Sequence, residues 1–126
     1  MPEIQRHRFT ILEHDHPFLH WDLLMQQGSV LLSWRLLTRP ETNRWIDAEA
    51  LPDHRLLYLD YEGPVRNDRG HVRQLTTGTF SVMTDADTEI ESCCPDSRTF
   101  LLFDCDLAQQ ACCRGYGTAN PEWQFA

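Results

Sequence analysis

Short apolar runs that alternate with polar residues dominate this chain, and turn-forming residues interrupt them at short intervals. Alternation places successive side chains on opposite faces of an extended strand, so the pattern is typical of β-structure with one buried face. Residues 47–51 fit either a helical turn or a short strand. Strands are predicted at residues 9–13, 19–26, 30–36, 55–61, 71–75, 79–83, 88–93 and 98–103.

Three hairpins are predicted among these strands, because a short turn-forming segment separates the two members of each pair. The turns lie at 27–29, 76–78 and 94–97. Longer loops are expected at 39–43 and 62–70. Many short strands joined in this way indicate an antiparallel barrel or sandwich, so the predicted fold class is mainly all-β with short helical turns.

The length of 126 residues predicts a single domain over 1–126 with one core. The segment 115–126 contains glycine, asparagine and proline, and we expect it to be an irregular C-terminal tail. Its aromatic residues, Tyr116, Trp123 and Phe125, are expected to dock on the body of the domain.

The charge of the chain limits its range of partners. The net charge is −8, and all eleven basic residues are arginines. Broad nucleic-acid affinity depends on many lysine and arginine contacts to phosphates, so this balance argues against it. Arginine favours discrete bidentate contacts with individual phosphates. A bound divalent cation would add positive charge that the residue count omits.

The sequence carries no signal for membrane insertion or export. No apolar run reaches the roughly 18 residues of a membrane span, and the N-terminal segment has no signal-peptide core. We therefore expect a cytoplasmic protein without membrane contact. The five cysteines are an odd number without a C-x-x-C spacing, so reduced thiols are expected and a cysteine zinc site is the weaker alternative.

One nine-residue segment concentrates three histidines and two aspartates. His20 and Asp22 lie two apart in a predicted strand and therefore project from the same face. A turn at Pro17 can bring His14 back beside them, and Asp15 would make the site more acidic. Two imidazoles and a carboxylate form a three-ligand site with open positions, the arrangement of a catalytic metal. The alternative is a half-exposed strand face that binds nothing.

A second polar group follows in the chain, where His54 and Tyr58 lie four residues apart. Together the two segments resemble the 3′-phosphoesterase domain family of bacterial DNA ligase D, as a divergent, stand-alone member. The resemblance covers about residues 9–80. The matching motifs, in order, are His14-Asp15 with His20-Trp21-Asp22, Ser33-Trp34 with Pro40, Asp53-His54 with Tyr58 and Tyr61-Glu62-Gly63, and Gly70-His71-Val72 with Gly78-Thr79-Phe80.

This resemblance implies a small antiparallel β-barrel with a metal-dependent phosphoesterase site on one rim. It implies Mn²⁺, with Zn²⁺ or another divalent metal as alternatives, held by His14, His20 and Asp22. The resemblance also implies two catalytic residues: His54, which would contact the phosphate and stabilise the transition state, and Tyr58, which corresponds to the family's tyrosine. Members of this family trim DNA 3′ ends by removing a terminal ribonucleoside and then the 3′-phosphate.

The chain departs from the family pattern where phosphate-clamping side chains are expected. The family arginine two residues after the metal-binding aspartate is Leu24 here. The family lysine becomes Thr38, and a second family arginine becomes Ile46. Loss of one such contact costs about 2–4 kcal/mol of transition-state stabilisation. The candidates to replace them, all arginines in nearby predicted loops, are Arg39, Arg44, Arg66 and Arg69, with Arg39 and Arg44 the first choices.

Three functional hypotheses remain at this point. The first is a metal-dependent phosphoesterase that acts on a DNA 3′ end or on a smaller phosphoester. The second is a catalytically degenerate metal- or phosphate-binding module that acts with a partner such as a DNA-repair ligase. The third is a barrel without a metal. The complete set of metal and phosphate candidates favours the first, whereas Leu24 and the net charge favour the second.

Overall fold

The computed structural model describes residues 6–83 and 97–126. Within them, the chain forms nine strands and a single-turn 3₁₀ helix at Leu56–Leu59. The strands are β1 (His7–His14), β2 (His20–Gln27), β3 (Val30–Leu36), β4 (Trp45–Arg55), β5 (Gly63–Pro64), β6 (His71–Met83), β7 (Arg98–Phe103), β8 (Gln110–Arg114) and β9 (Glu122–Phe125). None of the helical structure in these residues is long and apolar enough to cross a membrane.

Eight of the strands close into an antiparallel barrel. The order around the ring is β1, β2, β3, β4, β9, β8, β7 and β6, and β6 pairs with β1 to complete it. The two-residue strand β5 pairs with the start of β6 outside the ring. The predicted all-β class and the barrel implied by the family resemblance are therefore confirmed. Closure pairs the edges that an open sheet would leave exposed.

The β1–β2–β3 meander follows the sequence prediction closely. The predicted strands at 9–13, 19–26 and 30–36 correspond to these three elements, and Gly28, with φ of +60°, lies in the turn of the second hairpin. Residues 47–51, which fitted a helical turn or a strand, belong to the eleven-residue strand β4.

The predicted hairpin within 71–83 is wrong, because this segment is one continuous strand, β6. Gly78, interpreted as a turn residue, pairs instead with Phe9 of β1. A Cβ atom at position 78 would lie 2.5 Å from the carbonyl oxygen of Phe103 on β7. Glycine is needed here for the close approach of two backbones rather than for a turn.

The predicted strand at 55–61 is also wrong. Strand β4 ends at Arg55, and the chain continues as the 3₁₀ helix. Exposed Leu57 separates the partly buried Leu56 and Tyr58, so the segment has the alternating pattern of a strand without being one. Leu59 is buried, and Arg8 on β1 donates to Asp60 Oδ2 at 3.0 Å just beyond the helix. These contacts hold the helix against the outside of the barrel.

The expectation of an irregular tail over 115–126 is wrong at its end, where β9 pairs with β4 and β8. Trp123 and Phe125 are fully buried, and Tyr116 packs against the core, as their aromatic character predicted. Strand β8 was not predicted, although the predicted strand at 98–103 corresponds to β7. The predicted strand at 88–93 lies outside the described residues.

Strand alternation divides the buried side chains into two clusters. The larger cluster fills the barrel interior and contains Phe9, Ile11, Trp21, Leu23, Met25, Trp34, Leu36, Ile46, Ala48, Phe80, Phe100, Leu102, Ala108, Ala111, Cys113, Trp123 and Phe125. The smaller cluster lies on the outer face of β1, β2 and β3, under the 3₁₀ helix, and contains Leu12, Leu24, Leu31, Leu59 and Val72. The candidate metal ligands share this outer face, because they alternate in phase with Leu12 and Leu24.

Candidate metal centre

The tip of the β1–β2 hairpin brings the predicted metal ligands together. His14 and His20 are direct cross-strand partners, and Asp22 lies two positions further along β2, opposite Leu12. The two imidazole centroids are 4.8 Å apart. One ligand atom from each of His14, His20 and Asp22 lies within 4.8 Å of the other two. In the described part of the chain, no cysteine belongs to a cluster of this kind.

Backbone carbonyl groups fix the orientation of both imidazoles. Nε2 of His14 lies 2.8 Å from the carbonyl oxygen of Arg69, and Nδ1 of His20 lies 2.8 Å from that of Phe18. A carbonyl can only accept a hydrogen bond, so these nitrogens carry the hydrogen. The other nitrogens face Asp22: His14 Nδ1 is 3.1 Å from Oδ2, and His20 Nε2 is 3.0 Å from Oδ1.

This arrangement requires a positive charge between the rings and the carboxylate. Neutral imidazoles in these tautomers would turn lone pairs towards Asp22, which is unfavourable. Without a metal, the hydrogen bond with Asp22 raises the pKa of His14, against the lowering effect of burial, and a proton supplies the charge. Burial raises the pKa of Asp22, but its interactions with both rings outweigh burial and lower that pKa to about 2.

The donor set fits a divalent metal ion. Oδ1 of Asp22 is buried and makes no hydrogen bond within the described residues, although His20 Nε2 lies 3.0 Å from it. Each histidine uses its second nitrogen to bind a carbonyl, as metal-bound histidines commonly do, and this fixes the ring and its tautomer. Two imidazole nitrogens and one carboxylate oxygen suit a transition metal and leave coordination positions for water or substrate.

The cluster opens to solvent on the side of His14. The His14 side chain is 16% exposed, whereas those of His20 and Asp22 are 1% and 6% exposed. A cavity of about 200 Å³ lies elsewhere, inside the barrel at the end near the β2–β3 turn, where Met25 and Phe80 are among its lining residues. Any ligand of the cluster therefore approaches from outside the barrel.

The loop between β5 and β6 covers the cluster and is fastened by Asp15. Oδ1 of Asp15 accepts a hydrogen bond from the His71 backbone N–H at 2.6 Å, which lowers the Asp15 pKa. Gly70 has φ of +78°, and a Cβ atom there would overlap the Asp15 carboxylate. These contacts hold the Arg69 carbonyl against His14. Asp15 thus positions the loop and does not belong to the ligand cluster.

His54 lies on the same outer face, two strands away from β2. Its Nδ1 is 2.7 Å from Ser33 Oγ and 3.0 Å from the carbonyl oxygen of Pro52. Ser33 donates to the carbonyl of Leu31, so a consistent network has His54 Nδ1–H donating to Ser33 and Pro52. The His54 Nε2 is then the nitrogen available to a ligand. Tyr58 contacts the His54 ring edge-on, with centroids 5.8 Å apart.

The predicted replacement arginines lie in loops and are partly engaged by carboxylates. Arg39 pairs with Glu13 at 3.8 Å, and Arg44 pairs with Glu41 at 3.2 Å. Both guanidinium groups are more than half exposed. Arg66 and Arg69 are exposed in the loop between β5 and β6. Arg69 contacts His14 through its backbone carbonyl. Leu24 is fully buried in the smaller cluster.

Arg35 was missed by the sequence analysis, although its position could have been found. It is the direct cross-strand partner of Asp22. Reading Gly28-Ser29 as a two-residue hairpin turn, one residue shorter than the predicted turn at 27–29, pairs Gln27 with Val30, and counting outward along both strands places residue 35 opposite residue 22. Arg35 therefore shares the outer face with the metal-ligand cluster.

Comparison with known families places this geometry in context. A family model described as the DNA ligase D 3′-phosphoesterase domain matches residues 12–109, which is more than half of the chain. A comparison with curated proteins finds no significant match. The match includes the end of β1, all of β2 and the loop between β5 and β6. The chain belongs to the DNA ligase D 3′-phosphoesterase domain family.

Proposed function

We propose that this protein is a metal-dependent phosphoesterase that processes DNA 3′ ends, with Mn²⁺ as its metal. The observation that carries the proposal is the convergence of His14, His20 and Asp22, whose facing atoms lie within 4.8 Å while backbone carbonyls fix both rings. Family membership supplies the substrate class, a phosphoester at a 3′ end. Zn²⁺ or another divalent metal is compatible with the same ligands.

The protein side chains would divide the work between metal binding and phosphate contact. His14, His20 and Asp22 would hold the ion. A bound divalent ion would polarise a phosphoryl oxygen and lower the pKa of a bound water. His54, fixed by Ser33 at 2.7 Å, would direct Nε2 towards the phosphate, and in the form in which Nε2 also carries a hydrogen it would donate a hydrogen bond or proton to it. Tyr58 packs against the edge of that ring and restricts its motion.

A second candidate function is a metal- and phosphate-binding module without turnover. One observation favours it: Leu24 is fully buried beneath the 3₁₀ helix, where the family resemblance implies a phosphate-clamping arginine. Such a module would act with a partner such as a DNA-repair ligase. In either case we propose a cytoplasmic location. The free thiols of Cys105, Cys112 and Cys113 are compatible with a reducing compartment.

The test combines metal analysis with phosphate release. The protein is stripped with a chelator, reloaded with Mn²⁺ or Zn²⁺, and incubated with a 3′-phosphorylated DNA primer annealed to a template. His14→Ala should lose both bound metal and activity. His54→Ala should keep the metal and lose activity by about 100-fold or more. His7→Ala is the matched control, because His7 lies on the same strand at the opposite end of the barrel.

Each outcome separates the candidate functions. Mn²⁺-dependent release that requires His14 and His54, but not His7, supports the phosphoesterase. Metal binding that requires His14, without release from any 3′-phosphorylated or 3′-ribonucleotide end, supports the binding module. A wild-type protein that binds neither Mn²⁺ nor Zn²⁺ rules out both.

A further inference from the structure

Arg35 on β3 lies beside the candidate metal centre. It is the cross-strand partner of Asp22 on one side and of Glu49 on the other. Side chains of direct partners have Cβ atoms about 5 Å apart on the same face. We propose that Arg35 binds the substrate phosphate next to the metal, in place of the arginine that is absent at position 24. This inference rests on the proposed function.

Within the described residues, the Arg35 guanidinium has only a long ion pair. Its nearest carboxylate oxygen is Glu49 Oε1 at 3.8 Å, which is beyond hydrogen-bond distance, and Glu49 is itself 45% exposed. Nε of Arg35 is buried and has no hydrogen-bond partner among these residues. Arg35 makes no ion pair with Asp22, because the two carboxylate oxygens of Asp22 face His14 and His20 instead. A buried donor without an acceptor is costly unless a ligand supplies one.

An aromatic contact directs the guanidinium towards the rim of the cluster. Its carbon Cζ lies 5.3 Å from the centroid of Phe18, and the Phe18 ring lies 5.5 Å from that of His20. Phe18 therefore contacts both Arg35 and the candidate ligand His20. The Arg35 side chain is 24% exposed, so a ligand can reach it without unfolding a strand.

Charge complementarity identifies the ligand as an anion. Two neutral imidazoles and one carboxylate leave a bound divalent ion with net positive charge, and Arg35 adds a second cation one strand away. The metal ion and the Arg35 guanidinium repel each other, and an anion bound between them would offset this repulsion. A phosphate group can offer one oxygen to a metal and others to the planar guanidinium.

The test measures binding rather than turnover, in a His54→Ala background that leaves the DNA intact. Fluorescence anisotropy compares DNA oligonucleotides of one sequence that end in a 3′-phosphate or a 3′-hydroxyl, in the presence of Mn²⁺. Arg35→Gln should remove the preference for the 3′-phosphate, weakening its binding about 10-fold or more. Arg35→Lys should recover part of it. Mn²⁺ affinity should be unchanged or slightly higher, because a nearby positive charge is removed.

Arg114→Gln is the control, since it removes the same charge from β8, where Arg114 pairs with Glu122. If Arg35→Gln behaves like Arg114→Gln while the parent binds Mn²⁺ and prefers the 3′-phosphate, the role of Arg35 is wrong and the proposed function stands. Equal losses of Mn²⁺ and phosphate affinity would mean that Arg35 only supports the fold. A parent that binds Mn²⁺ without preferring the 3′-phosphate overturns the role of Arg35, because Arg35 is intact in it. A parent that binds no metal removes the basis of both proposals.

Discussion

At the scale of single residues, the site depends on which nitrogen of each histidine carries a hydrogen. His14 and His20 use opposite nitrogens to bind backbone carbonyls, so the remaining nitrogens meet at Asp22. The convergence of His14, His20 and Asp22 could be predicted from the sequence, because residues two apart in a strand share a face and a turn at Pro17 returns His14 beside them. The tautomers of the two histidines could not be predicted from the sequence, because the carbonyl that binds His14 belongs to Arg69, which is distant in sequence.

Metal affinity should depend on pH through His14. The hydrogen bond with Asp22 raises the His14 pKa above its usual 6.5, so a proton and a metal compete for Nδ1. Below the raised pKa, each unit of falling pH should weaken metal binding about tenfold; above it, the affinity should level off with respect to this group. Calorimetric titration with Zn²⁺ or Mn²⁺ from about pH 5.5 to about pH 8.5 checks this range. A flat profile would contradict the assignment of Nδ1 as a ligand.

Leu24→Arg should destabilise the protein. Leu24 is fully buried among Leu12, Leu31 and Leu59, and the nearby Asp22 carboxylate already faces His14 and His20. An unpaired buried charge costs roughly 3 kcal/mol or more. Leu24→Met is the matched control, because it preserves volume and should cost less than about 1.5 kcal/mol. Urea unfolding compares the three proteins. A stable Leu24→Arg protein with faster phosphate release would instead show that an arginine at position 24 can still reach the substrate.

At the scale of elements, the site is built by a hairpin tip and a distant loop that closes over it. Period-2 alternation located β1, β2 and β3, because each has one apolar face in the barrel. It failed at the 3₁₀ helix, where exposed and partly buried residues also alternate, and at Gly78, where close packing rather than a turn requires glycine. Local pattern cannot distinguish these cases, because the deciding contacts are with other strands.

The loop between β5 and β6 should control metal affinity through Asp15. Asp15→Ala removes the acceptor for the His71 N–H and frees the loop that holds the Arg69 carbonyl against His14. We expect metal affinity to fall about 10-fold or more, as for other changes in groups that orient a ligand. Asp15→Asn removes the charge but keeps an acceptor oxygen, so it should retain most of the affinity. Equal losses of metal affinity in both variants would mean that the charge of Asp15, and not its hold on the loop, causes the effect.

At the scale of the whole molecule, the barrel interior and the candidate site occupy opposite faces of the same strands. The interior cluster supplies most of the buried apolar surface, while the outer face of β1 to β3 combines a small apolar cluster with polar site residues. The family resemblance and the alternating pattern were sufficient to predict this class of fold. They did not reveal that β9, in a tail rich in turn-forming residues, closes the ring between β4 and β8.

Barrel closure should therefore depend on Trp123, which is fully buried and stacks on Phe100 with centroids 5.6 Å apart. Trp123→Ala should lower the free energy of unfolding by about 3–5 kcal/mol, because it leaves a large cavity where β9 joins the ring. Trp45→Ala is the matched control: Trp45 is only partly buried and lies under the Arg114 guanidinium at 3.8 Å, so its loss should cost roughly 1 kcal/mol. Chemical denaturation of the metal-free proteins measures the free energy of unfolding of both variants. Similar small losses would mean that β9 adds little to the barrel and that the remaining strands hold the β1–β2 hairpin in place without it.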